Sequence, residues 1–298
     1  MYKRTTLVAT LAAAALVLSG CAAGDDNGTP APGEPDTSGA LFEVAENVDL
    51  EGSPTYDVMR AADKVVIGVK EDQPGLGYLD AATGERTGFD IEISKWVAAS
   101  LGFAEDKIEF KAIPSANRES AIVNGDIDYY VGTYSITDKR KEQIDFAGPY
   151  FVTGQGILVA KDNTDIKSEK DLAGKTVCSA TGSTPIQNIK ENFLDTETTE
   201  FDTYSQCVEA LNDGQVDAVT TDAAILIGYA SAQPDTLKVV GEPFTVEKYG
   251  VGLPKGDTAL RTFFNTMFTD GGATWQKIYD ATLGKSGTKV EQPAVEDY

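Results

Sequence analysis

Arg140 closes a stretch in which small hydroxyl residues, Thr133, Ser135 and Thr137, come first and Asp138 stands two residues before it. A guanidinium is a planar fork of donors matched to a carboxylate, and hydroxyls can complete an anion's shell. The strand-like run Ile127 to Val131 delivers these residues to a loop, and Asp138 is placed to cap the short helix carrying Arg140. Such a pattern grips an anion and does not break bonds. The competing reading is a surface turn with a solvated Lys139-Arg140-Lys141 run. A second anion pattern lies at Thr181-Gly182-Ser183-Thr184, between a strand-like stretch ending at Cys178 and a helix starting near Pro185. There, backbone N–H groups and a helix dipole meet at one point. The Lys and Gly spacing of a P-loop is missing, which argues against a nucleotide. A third polar cluster, Thr220-Thr221-Asp222, ends another strand-like run.

Composition removes several function classes. The chain has no His, so Ser-His-Asp and Cys-His engines and the commonest metal ligand are excluded. No cofactor and no metal is called for, and the chain is not read as an enzyme. A formal net charge of −22 argues against nucleic acid and against charge-driven adhesion to an anionic membrane. Any anion site must therefore be built from local, aimed donors.

The start of the chain is an address. Lys3 and Arg4 precede the apolar run Leu7 to Leu18, which is signal-peptide length and too short to span a bilayer. Leu18-Ser19-Gly20-Cys21 has the form of a lipobox, so residues 1–20 are expected to be removed and Cys21 lipidated. Residues 21–55 read as a flexible tether, although Phe42, Val44, Val48 and Leu50 could pack on the body as a short helix or strand. Two cysteines remain, Cys178 and Cys207, in an oxidising compartment. A disulfide is expected; two buried thiols or a metal pair are the alternatives.

From Lys64 strand-like and helix-like patterns alternate. Val65 to Val69 is an apolar run leading into a Pro/Gly loop at its carboxyl end, where open α/β sheets place ligands. A helix carries Ile91, Trp96, Val97 and Leu101 until Gly102 stops it. There is also an internal echo. Glu119 to Val131, with Gly125 and Asp128, is matched by Cys207 to Thr220, with Gly214 and Asp217. Two similar α/β lobes with polar strand ends imply a cleft between them.

Several of these motifs, taken in order, resemble the solute-binding proteins of polar amino-acid ABC transporters. The residues carrying the resemblance are Gly88-Phe-Asp-Ile-Glu-Ile93, Ser135-Ile-Thr-Asp-Lys-Arg140, Ile144-Asp-Phe146, Asp171-Leu-Ala-Gly-Lys175, Asp217-Ala-Val219, Asp222 and Tyr249-Gly-Val-Gly-Leu-Pro-Lys255. The resemblance is strongest toward glutamate-binding lipoproteins of actinobacteria.

It implies an α/β, two-lobed periplasmic-binding-protein fold (type II, Venus-flytrap) with two hinge strands. Lobe 1 would be residues 56–151 plus 247–298, and lobe 2 residues 152–246. It also implies a ligand α-carboxylate on Arg140, helped by Ser135 and by the nest of Ser183 and Thr184. The α-ammonium would meet Asp222, with help near Thr133 and Thr181, and Phe89 would stack on the aliphatic portion. Gln73 falls where an aromatic often stacks, and Thr221 where one relative has His, so the pocket is more polar than usual. Relatives that bind glutamate or aspartate carry a base at the position of Lys70, which would read a side-chain carboxylate with Arg86 or Arg118 assisting. If Lys70 points away from the cleft, glutamine or asparagine become equal candidates. The implied partners are an amino acid, with glutamate favoured, an ABC permease and, through the lipid anchor, the membrane. The protein is expected as a monomer on the extracellular face of the cell membrane.

Overall fold

The computed structural model describes residues 41–286 and 289–297, so the signal segment, the lipobox and most of the expected tether lie outside the described residues. In chain order the elements begin with α1 (Pro54–Ala62), β1 (Val65–Val69), β2 (Asp72–Gln73), β3 (Gly77–Leu79), β4 (Arg86–Thr87), α2 (Phe89–Ser100), β5 (Ile108–Ala112), α3 (Arg118–Val123) and β6 (Tyr129–Tyr130). They continue with α4 (Asp138–Lys141), β7 (Asp145–Thr153), β8 (Gln155–Ala160), β9 (Thr176–Ala180), α5 (Thr184–Asn192), β10 (Glu197–Phe201), α6 (Tyr204–Asn212) and β11 (Ala218–Asp222). The last are α7 (Ala223–Ala232), β12 (Leu237–Val240), β13 (Glu247–Leu253), α8 (Thr258–Asp270) and α9 (Gly272–Ala281).

Two five-stranded sheets result, ordered β5-β1-β6-β13-β7 and β10-β9-β11-β8-β12, with β2-β3-β4 as a small third sheet. In each large sheet three strands run parallel and the remaining two join antiparallel. Apolar runs such as Val65 to Val69 suit this arrangement, because helices cover both faces of a parallel sheet. Each sheet with its helices is one lobe, and the fold is the expected two-lobed, type II fold. Here lobe 1 denotes the part built on β1 and lobe 2 the part built on β9.

The internal echo is structural. In each copy a helix stops before a left-handed glycine, Gly125 or Gly214, and the chain then turns into the middle strand of its sheet. Asp128 accepts the Val66 N–H at 2.7 Å, and Asp217 accepts the Thr176 N–H at 2.8 Å. The same aspartate therefore fixes the start of the neighbouring strand in both lobes. Strand β6 is shorter than the expected Ile127 to Val131, because only Tyr129 and Tyr130 pair on the ladder.

Both ends of the described chain pack on the body. Residues 41–53, assigned to the tether, lie on the body without regular helix or strand: Leu41, Phe42, Val48 and Leu50 pack against the core, and Val44 stays exposed. Apolar burial wins there over the Gly/Pro-poor loop's entropy. Asp257 caps α8 through Leu260 N–H at 3.0 Å and also accepts Ser53 Oγ at 2.8 Å and Thr55 N–H at 3.1 Å. One carboxylate thus joins the start of the body to its last helices. The C-terminal stretch docks as well, with Val290 and Val295 on the core, Gln292 Nε2 donating to Phe268 O at 2.7 Å and Glu296 N–H to Gly148 O at 2.9 Å. In lobe 2 a disulfide joins Cys178 on β9 to Cys207 on α6, with Cα atoms 5.5 Å apart.

Candidate functional site

The lobe 1 side of the cleft collects three buried cations. Lys70, at the carboxyl end of β1, is 5% exposed and donates to Ser115 Oγ at 2.8 Å. Arg118, the first residue of α3, is 2% exposed; its Nε donates to Ser115 O at 3.1 Å and its Nη1 to Thr133 O at 3.3 Å. Arg140 on α4 is 8% exposed. The Tyr134 ring accommodates both guanidinium groups, with Arg118 4.3 Å and Arg140 5.0 Å from its centroid. Such cation–π contact offsets part of the cost of drying two like charges side by side.

Arg140 is the one of the three with a carboxylate partner among the described residues, Glu119 at 3.0 Å from its Nε. Its other donors reach Ser135 O at 2.7 Å, Thr184 Oγ1 at 3.0 Å and Gly182 O at 3.1 Å. The last two contacts cross from lobe 1 to lobe 2, so Arg140 bridges the cleft as well as lining it. Burial, reinforced by Arg118, pushes the Lys70 ammonium down to about 7. Burying a charge without a counter-charge is costly, so this side is built to receive negative groups.

Lobe 2 supplies acceptors. Asp222 ends β11, is 3% exposed, and accepts the Tyr249 hydroxyl at 2.6 Å on Oδ2, while its Oδ1 has no partner. Burial, with buried Glu247 nearby, raises its carboxyl to about 7. An ammonium at Oδ1 would restore the ordinary acidity of Asp222. Thr221 is buried on the same strand. Ser183 caps α5 by accepting Ile186 N–H at 3.3 Å, and Thr181 N–H donates to Phe201 O at 2.9 Å. Behind them Gln155 donates to Thr220 Oγ1 at 2.9 Å and accepts Asn188 Nδ2 at 2.7 Å, which holds the strand ends in place. Gly182 has φ +76°, and a Cβ there would meet Ala116 Cα at 2.7 Å; the anion nest closes against lobe 1 because it has glycine at this point.

Thr133 is held in the left-handed region at φ 45°, unusual for a β-branched residue. Its N–H donates to Asp90 Oδ2 at 2.9 Å, its carbonyl takes Arg118, and its hydroxyl accepts Gln73 Nε2 at 3.2 Å. Three bonds therefore fix a strained residue, as functional sites often do. Gln73 is fully buried with its Oε1 unpartnered.

Lys70, Gln73, Thr133, Ser135, Arg140, Thr184 and Asp222 are thus joined in one region, with Thr181, Ser183 and Thr221 on adjoining backbone. Three expectations need correction. Phe89 does not face a ligand: its ring is fully buried within 6.2 Å of the rings of Tyr150, Phe151, Trp275 and Tyr279, in the lobe 1 core. Arg86 stands on β4, where it pairs with Glu71 at 3.3 Å and lies over the Phe110 ring, with no contact to the three cations among the described residues. Asp138 does not cap α4. The Thr137 hydroxyl accepts Arg140 N–H at 3.3 Å, and Asp138 pairs with Lys141 at 2.8 Å.

Other contributors had no legible role. Ser115, Tyr134 and Glu247 are ordinary residue types that only long-range packing brings here, and Glu119 and Tyr249 stood in motifs that did not show their contacts with Arg140 and Asp222. Asp90 stood beside Phe89 in the Gly88 motif. Its fully buried carboxylate, raised to about 6 by burial, accepts the Tyr150 hydroxyl at 2.9 Å.

The sequence profile described as bacterial extracellular solute-binding proteins, family 3, matches residues 65–285. The glutamate-binding protein GluB of Corynebacterium efficiens is 41% identical over 242 residues, covering 76% of this chain and 81% of that protein. The ABC transporter glutamine-binding protein GlnH of Bacillus subtilis is 40% identical over 230 residues, covering 76% of this chain and 83% of the relative. Among solved structures, an ancestral arginine-binding protein bound to glutamine superposes with a TM-score of 0.68 at 36% identity, covering 74% of this chain and 98% of that one.

Proposed function

Because the chain belongs to the bacterial extracellular solute-binding proteins, family 3, which bind amino acids for ABC transporter permeases, we propose that its cargo is L-glutamate. The observation that carries this reading is that Lys70 and Arg118, both buried at the cleft, have no ion-pair partner among the described residues. A dicarboxylic amino acid brings two carboxylates and one ammonium. Arg140 with Thr184 would hold the α-carboxylate, the free Oδ1 of Asp222 the ammonium, and Lys70 with Arg118 the side-chain carboxylate. A neutral amide at that last position would leave two cations without a counter-charge. Identity to GluB supports the same assignment; identity to GlnH makes glutamine the competing cargo. The role is capture and not catalysis.

In this account the amino acid first docks on the lobe 1 cations, and closure then brings Asp222 and the nest of Thr181, Ser183 and Thr184 onto it and expels water. The hinge strands would divide the chain as 56–151 plus 247–298 and 152–246. Cys21 would carry the lipid that keeps the protein, as a monomer, beside its permease on the outer face of the membrane. Among the described residues no helix is long and apolar enough to cross a membrane. Titration of glutamate, aspartate, glutamine and asparagine into protein freed of amino acid tests the cargo. Tightest binding of glutamate is expected, and equal or tighter binding of an amide would refute the assignment. Loss of radiolabelled palmitate incorporation in Cys21→Ala tests the anchor.

A further inference from the structure

A further contact between the lobes is made by β2, where Asp72 stands just before Gln73 and turns to lobe 2. Asp72 Oδ2 accepts the backbone N–H of Tyr204 at 2.8 Å and of Ser205 at 3.2 Å, at the first turn of α6. The hydroxyl of Tyr229 on α7 donates to the Asp72 carbonyl and approaches its Oδ2 at 3.3 Å. One turn of geometry away, Gly228 on α7 meets Pro74 so closely that a Cβ would stand 2.1 Å from the Pro74 carbonyl oxygen. Lobe 1 thus presents an acid and a carbonyl, and lobe 2 presents two backbone donors, a hydroxyl and a side-chain-free patch of helix.

We infer that Asp72 and Gly228 form a closure joint that sets affinity for the amino acid by stabilising the closed arrangement of the lobes. Thr203 already caps α6 from within lobe 2 through its bond to Gln206 N–H, so Asp72 is not needed to build that helix. A negative charge at a helix N-terminus is favourable, and here the charge and the helix belong to different lobes. That favourable contact therefore exists only when the lobes are together. Gly228 interrupts a helix in which alanine would be the better former, and what glycine provides at this position is room for the Pro74 carbonyl. Since neither residue is assigned a ligand contact, the joint acts on the equilibrium between open and closed forms, and affinity follows the closed fraction. The inference needs only an amino-acid ligand and is independent of which one is bound.

Gly228→Ala is the sharp test, because it changes no charge near Lys70. Its ligand-free melting temperature should equal or exceed that of the wild type, which separates a closure defect from misfolding. Kd for glutamate and for glutamine should each rise about tenfold by the same factor, leaving their ratio unchanged. Small-angle scattering of the ligand-free protein should show a larger radius of gyration for both Gly228→Ala and Asp72→Ala than for the wild type. Wild-type Kd values in Gly228→Ala, a changed glutamate-to-glutamine ratio, or an unchanged radius in both variants would each overturn the inference. If the wild type binds neither amino acid, the cargo assignment fails, and the scattering comparison still decides the joint.

Discussion

The middle strand of each sheet is reached in the same way, by a helix, a left-handed glycine and an aspartate that pins the neighbouring strand, yet the two lobes put opposite chemistry at the strand ends. Lobe 1 places Lys70, Arg118 and Arg140 there, whereas lobe 2 places Thr181, Ser183, Thr184, Thr221 and Asp222. The repeated frame, with Asp128 matched by Asp217, supplies position, and only the residues after the strands supply recognition. A zwitterion has one negative and one positive end, and a cleft between two unlike faces matches that division. Of the three lobe 1 cations only Arg140 has an ion-pair partner among the described residues, Glu119, and the proposed side-chain carboxylate would meet the other two.

If lobe 1 holds the α-carboxylate, Arg140→Ala should abolish detectable binding in calorimetry, a loss of about 3–5 kcal/mol, as for removal of one partner from a buried charge pair. Retained affinity would break the division of labour. A second contrast is covalent, since the disulfide lies in lobe 2. Reduction of Cys178–Cys207 should cost about 3–4 kcal/mol on the chain-entropy account, seen as a lower melting temperature and as faster amide exchange in α6 and β9 than in β1 and β5. Uniform acceleration across both lobes would argue that they unfold as one unit. On the acceptor side, Asp222→Asn should weaken binding of every α-amino acid by about 2–3 kcal/mol without changing the preference among side chains. A changed preference would move Asp222 from the ammonium to the side chain.

The smallest expected effect concerns protons. The Lys70 ammonium titrates near 7 in its buried setting, and a carboxylate beside it would restore it toward its ordinary value of 10.5. The liganded form then binds the proton more tightly, so glutamate binding takes up a proton above pH 7 and weakens as pH rises through that window. Calorimetry at pH 8 in buffers of different ionisation enthalpy should register this uptake for glutamate and much less for glutamine. In the ligand-free protein the same group has the opposite sign. Between pH 7 and 10.5 the unfolded chain holds more protons on Lys70, so its contribution to stability rises with pH.

Much of the frame was legible in the sequence because it is local. The apolar run at Val65, the glycine stops and the echo around Asp128 and Asp217 each need only neighbouring residues to be read. Arg140 and Asp222 were also named from the sequence, and both stand buried at the cleft. What escaped depends on distant packing. Phe89 sits in a motif that marks the site, yet the aromatic rings of β7 and α9 draw it into the core. Arg86, read as a possible helper of Lys70, instead turns its Nη2 to Glu71, fifteen residues earlier, and its Nη1 is buried without a partner among the described residues. The sequence offers Arg118 only as an alternative to Arg86, and Tyr134 with the bent backbone at Thr133 is what holds it at the cleft. The docking of residues 41–53 was half legible: Phe42, Val48 and Leu50 read as able to pack on the body and do, whereas Leu41 was missed and Val44 stays exposed, because the accepting surface is built by distant residues.

The claim that a side-chain carboxylate is read by the lobe 1 cations is tested most directly by the ratio of glutamate to glutamine affinity in the wild type and in Lys70→Ala. A clear preference for glutamate, about tenfold or more, is expected in the wild type and should collapse toward equality in the variant. Glutamine bound as tightly as glutamate in both proteins would contradict it.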